Sequence, residues 1–426
     1  MIPAIEKKSG SEIRKFQEAQ LQKVLGYLQA HSPFYQRHFQ DHRVDTAKIM
    51  NLGDLATIPP TTKNDLQEFN WDFLCVPRAK IAEYASTSGT MGKPVTIALT
   101  GKDIQRLAYN ELLSLSCADG VSGDLYQLML TLDRQFMAGI AYYEGIRKLG
   151  AGIVRVGPGV MASQLETILS IKPTVLIAVP SFLVKLIEHA GEKGISLEQT
   201  SVKKIVCIGE NIRRENFQLN ALGTKITENW NVHLYSTYAS TEMQTAFTEC
   251  SEGVGGHQHP ELIITEVLDD NNRTVMPGQI GELTVTTLGV EGMPLLRYKT
   301  GDVVRLHEDG CSCGRTTARV SPVLGRRQQM IKLKGTTLYP PGVFEILHLA
   351  NVGDYVVEVF TNELGNDDIK LYVAGDESVQ QRVKISFQSF LRVMPGVVLK
   401  TPQEIERMQM SDGTRKPRKF IDRRIH

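Results

Sequence analysis

Residues 175–189, Val-Leu-Ile-Ala-Val-Pro-Ser-Phe-Leu-Val-Lys-Leu-Ile-Glu-His, contain the pattern from which the fold class follows. An apolar run ends at Pro180, and the residues after it have apolar side chains at helical spacing. Such a run is typical of a buried strand, and the spacing that follows is typical of a helix. A second apolar run, 204–208, ends at Gly209 and Glu210. Repeated strand, turn and helix predict an α/β fold with a largely parallel sheet, which binds ligands at the carboxyl ends of its strands.

The chain on either side of this region has a different pattern. Apolar residues within 11–40 recur at helical spacing and predict an amphipathic helix ahead of the main domain. From about 262 onward β-rich runs such as 281–287 become denser, and the last part of the chain has further apolar runs and one helical stretch. We therefore predict a large N-terminal domain, 1–328, and a small C-terminal domain, 329–426.

The composition of the chain excludes several classes of protein. Lysine and arginine total 48 against 47 aspartate and glutamate, so the basic excess typical of a nucleic-acid-binding protein is lacking. No apolar run approaches the roughly 20 residues that a membrane span needs, and the N-terminus does not resemble a signal peptide. Six cysteines are few for 426 residues and argue against a disulfide framework. We expect a cytoplasmic protein without nucleic-acid or membrane partners, and we keep a homodimer as an option.

One loop of the predicted core is suited to binding phosphate. Residues 84–94 read Tyr-Ala-Ser-Thr-Ser-Gly-Thr-Met-Gly-Lys-Pro, in which hydroxyl side chains alternate with glycines ahead of a lysine. Glycines let the backbone approach an anion, and free N–H groups and hydroxyls donate to phosphate oxygens. The stretch is not a Walker A loop, because Pro94 stands where that motif has Ser or Thr. A plain surface loop is the alternative. The candidate phosphate ligands are Ser86, Thr87, Ser88, Gly89, Thr90, Gly92 and Lys93.

This loop resembles the signature loop of the adenylate-forming superfamily, and residues 235–242, Tyr-Ser-Thr-Tyr-Ala-Ser-Thr-Glu, resemble its aromatic-x-x-Thr-Glu motif. The resemblance implies that Tyr238 stacks on adenine, that Thr241 contacts phosphate and that Glu242 holds magnesium. A carboxylate beside phosphate oxygens suits magnesium. The family often has glycine where this chain has Ala239. Tyr235, Ala239 and Ser240 complete the predicted nucleotide contacts in this segment.

Two further segments resemble the same superfamily. Residues 297–302, Arg-Tyr-Lys-Thr-Gly-Asp, resemble its Tyr-Arg-Thr-Gly-Asp motif, which implies that Asp302 accepts hydrogen bonds from the ribose hydroxyls. Residues 325–335 resemble the hinge segment, which implies that Arg326 lies near the ribose; the usual acidic pivot residue is replaced by Gln329. The turn at Gly209 and Glu210 fits the adenine pocket of the family. The resemblance implies a large domain with mixed sheets and helices that binds ATP and the acid, and a small, mobile α+β C-terminal domain.

The catalytic lysine of the family has a candidate near the C-terminus. Residues 412–424 read Asp-Gly-Thr-Arg-Lys-Pro-Arg-Lys-Phe-Ile-Asp-Arg-Arg. Aligned on Ile421 and Asp422, Lys416 falls at the lysine that the family places on the acyl phosphate, where it neutralises developing charge. Lys419 is the alternative, and a solvated basic tail would explain the same residues without chemistry.

Within the superfamily the chain resembles the phenylacetate–coenzyme A ligase branch. Residues 58–66, Ile-Pro-Pro-Thr-Thr-Lys-Asn-Asp-Leu, resemble its Thr-Lys-x-Asp-Leu segment, and residues 32–35, Ser-Pro-Phe-Tyr, also match. Some relatives in this branch carry a Cys, His, Cys-x-Cys arrangement, which implies a structural zinc site here with four ligands and no open position. The zinc ligands would be Cys250, His257, Cys311 and Cys313, with His259 as a substitute for His257 and unligated cysteines as the alternative.

The resemblance implies an enzyme that uses ATP and Mg²⁺ to convert a small carboxylic acid into an acyl-adenylate. The acyl group would then pass to coenzyme A. Phe136, Met137 and Tyr235 suggest an apolar acid pocket, which suits an aryl or arylacetic acid, although they could equally be core residues. Three alternatives stay open: an amine or carrier-protein acceptor, a non-catalytic nucleotide-binding zinc scaffold, and a kinase-like phosphotransferase.

Overall fold

The computed structural model describes residues 2–87, 94–333, 336–362, 366–391, 394–410 and 417–424. The chain divides into two compact units, Met1–Val323 and Leu324–His426. The division falls slightly before the predicted boundary between 328 and 329. The pivot at Gln329 stays a prediction. Among the described residues, no helix combines the length and the apolarity that crossing a membrane requires.

The large unit contains helices and strands along its whole length. Its helices α1 to α8 span Gly10–His31, Pro33–Asp41, Lys63–Glu68, Gly101–Cys117, Met137–Leu149, Met161–Ile171, Pro180–Glu192 and Ala221–Asn229. Its strands β1 to β13 span Ile81–Ser86, Thr96–Thr100, Leu125–Leu128, Gly152–Arg155, Val175–Ala178, Lys204–Ile208, His233–Ser240, Thr245–Thr248, Gly256–His257, Ile263–Leu268, Ile280–Thr287, Tyr298–His307 and Arg319–Val320. The apolar runs at 175–179 and 204–208 therefore form strands as predicted, although β5 ends at Ala178, and α7 begins at Pro180, one residue before the predicted helical spacing.

The main sheet of the large unit has a parallel half and an antiparallel half. Strands β4, β3, β5, β6 and β7 are adjacent in that order and pair in parallel. Beyond β7 the order continues through β8, β9, β13, β12, β11 and β10, and every pairing is antiparallel. The parallel strands β5 and β6 are almost entirely buried, as strands covered on both faces must be. The predicted α/β class with mixed sheets is confirmed.

The sequence also explains the long first helix. Ser9 and Glu12 form a capping box at its start, which satisfies two of the backbone N–H groups that a helix leaves unpaired. Leu21, Val24, Leu25 and Leu28 lie one turn apart and are buried in the core that also contains β2 and β11. Its apolar stripe attaches the N-terminal segment to the large unit.

The small unit is an α+β domain, as predicted. Its strands β14 to β20 span Gly325–Arg326, Ile331–Leu333, Thr336–Leu338, Tyr355–Thr361, Asp367–Ala374, Gly396–Lys400 and Phe420–Asp422, and its helices α9 to α11 span Pro340–Leu349, Glu377–Leu391 and Pro402–Gln409. Strands β15 and β16 pair antiparallel, and β19, β18, β17 and β20 form a four-stranded sheet in that order. Val357 and Val359 of the sheet are buried in one core with Val383 and Phe387 of α10.

Candidate active site

The β1–β2 hairpin holds both ends of the predicted phosphate loop. The backbone N–H of Thr87 donates to the carbonyl of Val95 over 3.0 Å, and the N–H of Val95 donates to Thr87 Oγ1 over 3.0 Å. The hydroxyl of Thr87 is therefore part of the hairpin and closes the base of the loop. Ser88, Gly89, Thr90, Gly92 and Lys93 lie outside the described residues. Their contacts with phosphate stay a prediction.

The segment that carries Phe136 and Met137 lies beside the end of β1. The N–H of Ser86 donates to the carbonyl of Gln135 over 2.9 Å, so the turn before α5 is hydrogen-bonded to the end of β1. Arg134 and Gln135 both have φ of 57°, a left-handed conformation that bulky side chains rarely adopt. Met137 is buried and Phe136 partly buried, and both pack against core residues. Their part in an acid pocket stays a prediction, whereas the contact of their segment with Ser86, at the end of β1, is observed.

The structure brings together Tyr238 and Asp302, which the sequence separates by 64 positions. Tyr238 Oη donates to Asp302 Oδ2 over 2.7 Å, across from β7 to β12. The ring of Tyr238 is stacked with that of Phe247 on β8, with centroids 5.9 Å apart. Asp302 is largely buried, and its own N–H donates to Thr300 Oγ1. The residue expected to stack on adenine and the residue expected to bind ribose are therefore direct neighbours.

Tyr235 has a different environment from Tyr238 although both belong to β7. Side chains alternate between the two faces of a strand, so residues three apart point in opposite directions. Tyr235 is buried in the core, and its Oη donates to Asp119 Oδ2 over 2.9 Å. Burial raises the pKa of the Tyr235 phenol well above its ordinary value. Tyr235 thus lies on the opposite face of β7 from Tyr238 and in the same core cluster as Phe136, and its contacts with nucleotide and acid stay predictions.

The turn between β7 and β8 carries the predicted magnesium ligand. Glu242 is largely buried there, and Lys63 Nζ lies 3.2 Å from its Oε1. Thr241 and Ser240 are partly buried in the same turn, and Ala239 is exposed. Lys63 is the first residue of α3 and was not among the predicted site residues. Lys63 belongs to the Thr-Lys-x-Asp-Leu segment noted in the sequence, but that pattern does not indicate its partner, which lies 179 positions away.

A buried arginine on α4 holds this turn in place. The guanidinium of Arg106 donates to the carbonyls of Gln244, Leu262 and Leu288 over 2.7, 2.6 and 2.7 Å. It also donates to Thr245 Oγ1 over 3.1 Å. Burial lowers the pKa of Arg106 to about 10, so the group remains charged at neutral pH. Arg106 was also missed by sequence reasoning, because its acceptors are backbone carbonyls from three distant segments.

Gly209, Glu210 and Arg326 are the remaining predicted nucleotide ligands. Gly209 has φ of 76°, and the carboxylate of Glu210 accepts hydrogen bonds from the N–H and the hydroxyl of Ser181 over 2.8 and 3.0 Å. Glu210 thus caps α7, and an adenine contact stays a prediction. Arg326 is an exposed residue of the small unit.

The structure describes one of the two candidates for the catalytic lysine, Lys419, and not the other, Lys416. Lys416 lies outside the described residues, so its role on the acyl phosphate stays a prediction. The alternative, Lys419, has its ammonium 5.3 Å from the ring centroid of Tyr355. Its backbone carbonyl accepts from the N–H of Val357, next to the pairing of β20 with β17. Lys419 is therefore part of the sheet edge of the small unit.

The ligand atoms of Cys250, His257, Cys311 and Cys313 all lie within 4.8 Å of one another, so these four residues could hold a metal ion. His257 lies in β9, which pairs with β8 and with β13, and the cysteines come from the loops after β8 and before β13. His257 Nδ1 is 3.2 Å from Thr317 Oγ1, which directs Nε2 toward Cys313 Sγ at 3.5 Å. Burial lowers the pKa of His257 to about 3, so the imidazole is neutral and can act as a ligand.

His259, the alternative ligand, is bound elsewhere. Its Nδ1 lies 2.6 Å from Glu6 Oε1, and Glu6 Oε2 accepts from Arg315 Nε over 2.9 Å. All three side chains are almost fully buried. Arg315 in turn lies 3.6 Å from Cys313 Sγ. The N-terminal segment is therefore connected through Glu6 to the loop that carries two of the cysteines.

We expect Glu6→Ala to lower the free energy of unfolding of the large unit by about 3–5 kcal/mol, because it leaves a buried guanidinium without its carboxylate. The matched control is Glu188→Ala, which breaks the exposed 2.7 Å pair with Lys225 and should cost less than about 1 kcal/mol. Urea denaturation followed by tryptophan fluorescence measures both. Equal midpoints for the two variants would contradict a structural role for the buried cluster.

Comparison with known proteins agrees with this geometry. Residues 41–292 match the model of the family described as AMP-binding enzyme. Phenylacetate-coenzyme A ligase of Thermus thermophilus is 31% identical over 350 residues, which cover 81% of this chain and 77% of that protein. The enzyme of the same name from Aromatoleum evansii is 27% identical and covers 99% of this chain and 97% of its own.

Solved structures of 2-hydroxyisobutyryl-CoA ligase have the same fold. Its complex with 2-HIB-AMP in the postadenylation state is 24% identical, with a TM-score of 0.86 over 99% of this chain and 94% of that one. Its complex with 2-HIB-AMP and CoA in the thioesterification state is 25% identical, with a TM-score of 0.73 over 100% of this chain and 94% of that one. The family match covers more than half of the chain, and the Thermus relative exceeds 30% identity over four fifths of it. The chain belongs to the AMP-binding enzyme family, in which the phenylacetate–coenzyme A ligases are its relatives.

Proposed function

We propose that this protein activates a small aryl or arylacetic acid with ATP and transfers the acyl group to coenzyme A, with AMP and pyrophosphate as the other products. The observation that carries the proposal is the hydrogen bond between Tyr238 and Asp302. This bond joins the predicted adenine ligand to the predicted ribose ligand. Tyr238 also precedes Glu242, the predicted magnesium ligand, by four residues on the same stretch of chain. The phenylacetate–coenzyme A ligases named above support the choice of acid and acceptor.

In the first half-reaction a carboxylate oxygen of the acid attacks the α-phosphorus of ATP. The new bond is a mixed anhydride, and the bond to pyrophosphate breaks. The protein contributes chiefly position and charge. Asp302 would orient the ribose, Tyr238 the adenine, and Thr241 with the loop 86–93 the phosphates. Lys416 would neutralise charge on the acyl phosphate.

In the second half-reaction the thiol of coenzyme A attacks the acyl carbonyl. The carbon–sulfur bond forms, the bond to the AMP oxygen breaks, and the thiol proton passes to solvent or to the departing phosphate. We keep the proposal that the small domain changes position about Gln329 between the two half-reactions, which removes Lys416 from the acyl group. Phe136 and Met137 would line the acid pocket, because the turn that carries them is hydrogen-bonded to the phosphate loop.

Magnesium fits the environment of Glu242. The carboxylate is largely buried and already binds a cation, the ammonium of Lys63. Magnesium is held by one or two carboxylates together with substrate phosphates, so a single glutamate is an adequate protein ligand when ATP supplies the phosphates. When bound, the metal ion would neutralise charge on the phosphate oxygens.

Zinc fits the four-residue cluster. A tetrahedron with Zn–S of about 2.3 Å and Zn–N of about 2.0 Å requires S···S of about 3.8 Å and S···N of about 3.5 Å. The observed separations are 3.6 Å between the Sγ atoms of Cys250 and Cys311 and 3.5 Å between Cys313 Sγ and His257 Nε2. Four protein ligands leave no open position, so the ion would be structural. It would connect the loop after β8 to the loop before β13.

The proposed activity is tested by the products. Purified protein is incubated with ATP, Mg²⁺ and a panel of aryl, arylacetic and short aliphatic acids, with and without coenzyme A. We expect AMP, pyrophosphate and acyl-coenzyme A in equal amounts, with an arylacetic acid among the best substrates. AMP turnover that needs an amine or a carrier protein instead of coenzyme A would favour the alternative acceptors. ADP as the product would overturn the proposal.

A second prediction concerns the pair in β7 and β12. Tyr238→Phe keeps the ring but removes the hydrogen bond to the Asp302 carboxylate, and a hydrogen bond to a charged group contributes about 1.5–3 kcal/mol. We expect the KM for ATP to rise about tenfold or more, with the KM for the acid unchanged. Tyr235→Phe is the matched control, because it removes a tyrosine hydroxyl from the same strand at the bond with Asp119. Similar ATP kinetics for both variants would contradict the assignment.

A third prediction concerns the metal. Elemental analysis of the purified protein should find about one zinc per chain, as a closed four-ligand site implies. Cys313→Ser should lose most of this zinc and unfold at a lower temperature, since metal binding contributes directly to folding. Cys117→Ala changes a buried cysteine outside the cluster and should keep the zinc. Equal zinc contents in the two variants would exclude the site.

A further inference from the structure

The mechanism above gives no role to Lys63, although its ammonium lies 3.2 Å from Oε1 of Glu242. The pair is not a surface contact, because the two side chains are only 29% and 11% exposed. The same carboxylate is the proposed magnesium ligand. An ammonium and a divalent cation repel each other when they share one carboxylate oxygen. The position of Lys63 therefore has a consequence for the binding of metal and nucleotide.

The position of Lys63 is well supported by its surroundings. Thr62 and Asp65 form a capping box around it at the start of α3. The N–H of Thr61 donates to the carbonyl of Arg297 over 3.1 Å, and the N–H of Lys299 donates to the carbonyl of Thr61 over 2.8 Å. Arg297 and Lys299 lie next to and within β12, the strand that carries Asp302. The segment before Lys63 is thus hydrogen-bonded to the element that holds the proposed ribose ligand.

We infer that Lys63 occupies the carboxylate of Glu242 in the ligand-free protein and moves to a phosphate oxygen of ATP when Mg²⁺ and nucleotide bind. Lysine suits this exchange, because it has a compact charge on a flexible stem and three donors that can be redirected. In the ligand-free state the ammonium compensates a largely buried carboxylate that has no other cationic partner within the part of the chain that the structure describes. In the bound state the metal takes this place, and the ammonium remains close to the phosphates. The inference rests on the proposed function, and it adds a residue that sets metal and phosphate affinity.

The inference predicts effects of opposite sign for one substitution. Lys63→Met removes the competing charge, so the protein without nucleotide should bind a divalent cation more tightly, by at least about fivefold. The same variant loses a phosphate contact, so it should bind magnesium pyrophosphate more weakly, by at least about fivefold. A residue that only supported the fold would weaken both, because a distorted site binds each ligand less well.

The metal arm uses Mn²⁺ as the probe, titrated into the zinc-loaded full-length protein and followed by electron paramagnetic resonance. The site is defined as the Mn²⁺ binding that Glu242→Gln abolishes. The phosphate arm measures magnesium pyrophosphate by isothermal titration calorimetry. Lys102→Met is the matched control, because it removes a lysine from a 2.8 Å pair with Glu291 on the exposed start of α4. Lys63→Arg keeps the charge and should stay closer to the unaltered protein than Lys63→Met in the Mn²⁺ titration.

Tighter Mn²⁺ binding together with weaker pyrophosphate binding in Lys63→Met, and neither change in Lys102→Met, is the expected result. Unchanged affinities, a loss of both, or a change in only one of them would overturn the inference. Neither titration needs the carboxylic acid to be identified. If the unaltered protein made no AMP with any acid while the two titrations gave the expected result, the proposed function would fail and the role of Lys63 would stand. If AMP formed normally and the titrations did not give the expected result, the role of Lys63 would fail and the proposed function would stand.

Discussion

The guanidinium of Arg106 fixes the place where the main sheet changes from parallel to antiparallel pairing. Strand β7 pairs in parallel with β6 and antiparallel with β8, so the chain has to reverse at 241–244. Gln244 ends this reversal with φ of 51°, and its carbonyl accepts from Arg106. The same guanidinium binds carbonyls that follow β11 and precede β10. Because the reversal lies at the carboxyl end of β7, Glu242 and Tyr238 are placed where an α/β sheet binds its ligands.

Arg297 holds the start of β12 through buried hydrogen bonds, as Arg106 holds the start of β8. It is fully buried with φ of 50°, and it donates to the carbonyls of Ile58 and Asn272 over 2.6 and 2.9 Å, with Glu266 as its counter-ion. Burying a guanidinium is favourable only when its donors are satisfied and its charge is compensated. Arg297 therefore has a structural role. Arg297 holds the segment before α3 against β12. Lys63 begins α3 and Asp302 lies in β12, so this arginine affects the positions of both.

The local patterns of the sequence predicted several of the elements, and the motifs singled out Tyr238 and Asp302, which the structure brings into contact. Strands β5 and β6, the start of α7 at its proline, and the Tyr238 and Asp302 positions all follow from features within a few residues. The motif match did not show that Tyr235 and Tyr238 lie on opposite faces, because it does not report the alternation of side chains along β7. Lys63 stands in the Thr-Lys-x-Asp-Leu segment, but its partner Glu242 is 179 positions away and the motif does not indicate it. Arg106 was missed because its acceptors are mainly backbone carbonyls more than 130 positions away, which every residue has. Such contacts exist only once the sheet order is known.

The choice between His257 and His259 shows how long-range contacts decide what a local pattern leaves open. Both imidazoles lie on the same face of an extended segment, and each offers two nitrogen atoms. At His257 the hydroxyl of Thr317 faces Nδ1 and can accept its proton, which leaves the lone pair of Nε2 directed at the cysteines. At His259 the Nδ1 atom is taken by Glu6, a residue 253 positions away at the N-terminus. The contacts at Nδ1 are therefore alike, and the cysteines decide between the two: the group of ligand atoms within 4.8 Å of one another includes His257 and not His259. Arg315 connects the carboxylate of Glu6 to Cys313 Sγ. Supporting contacts of this kind orient the ligands of a metal site.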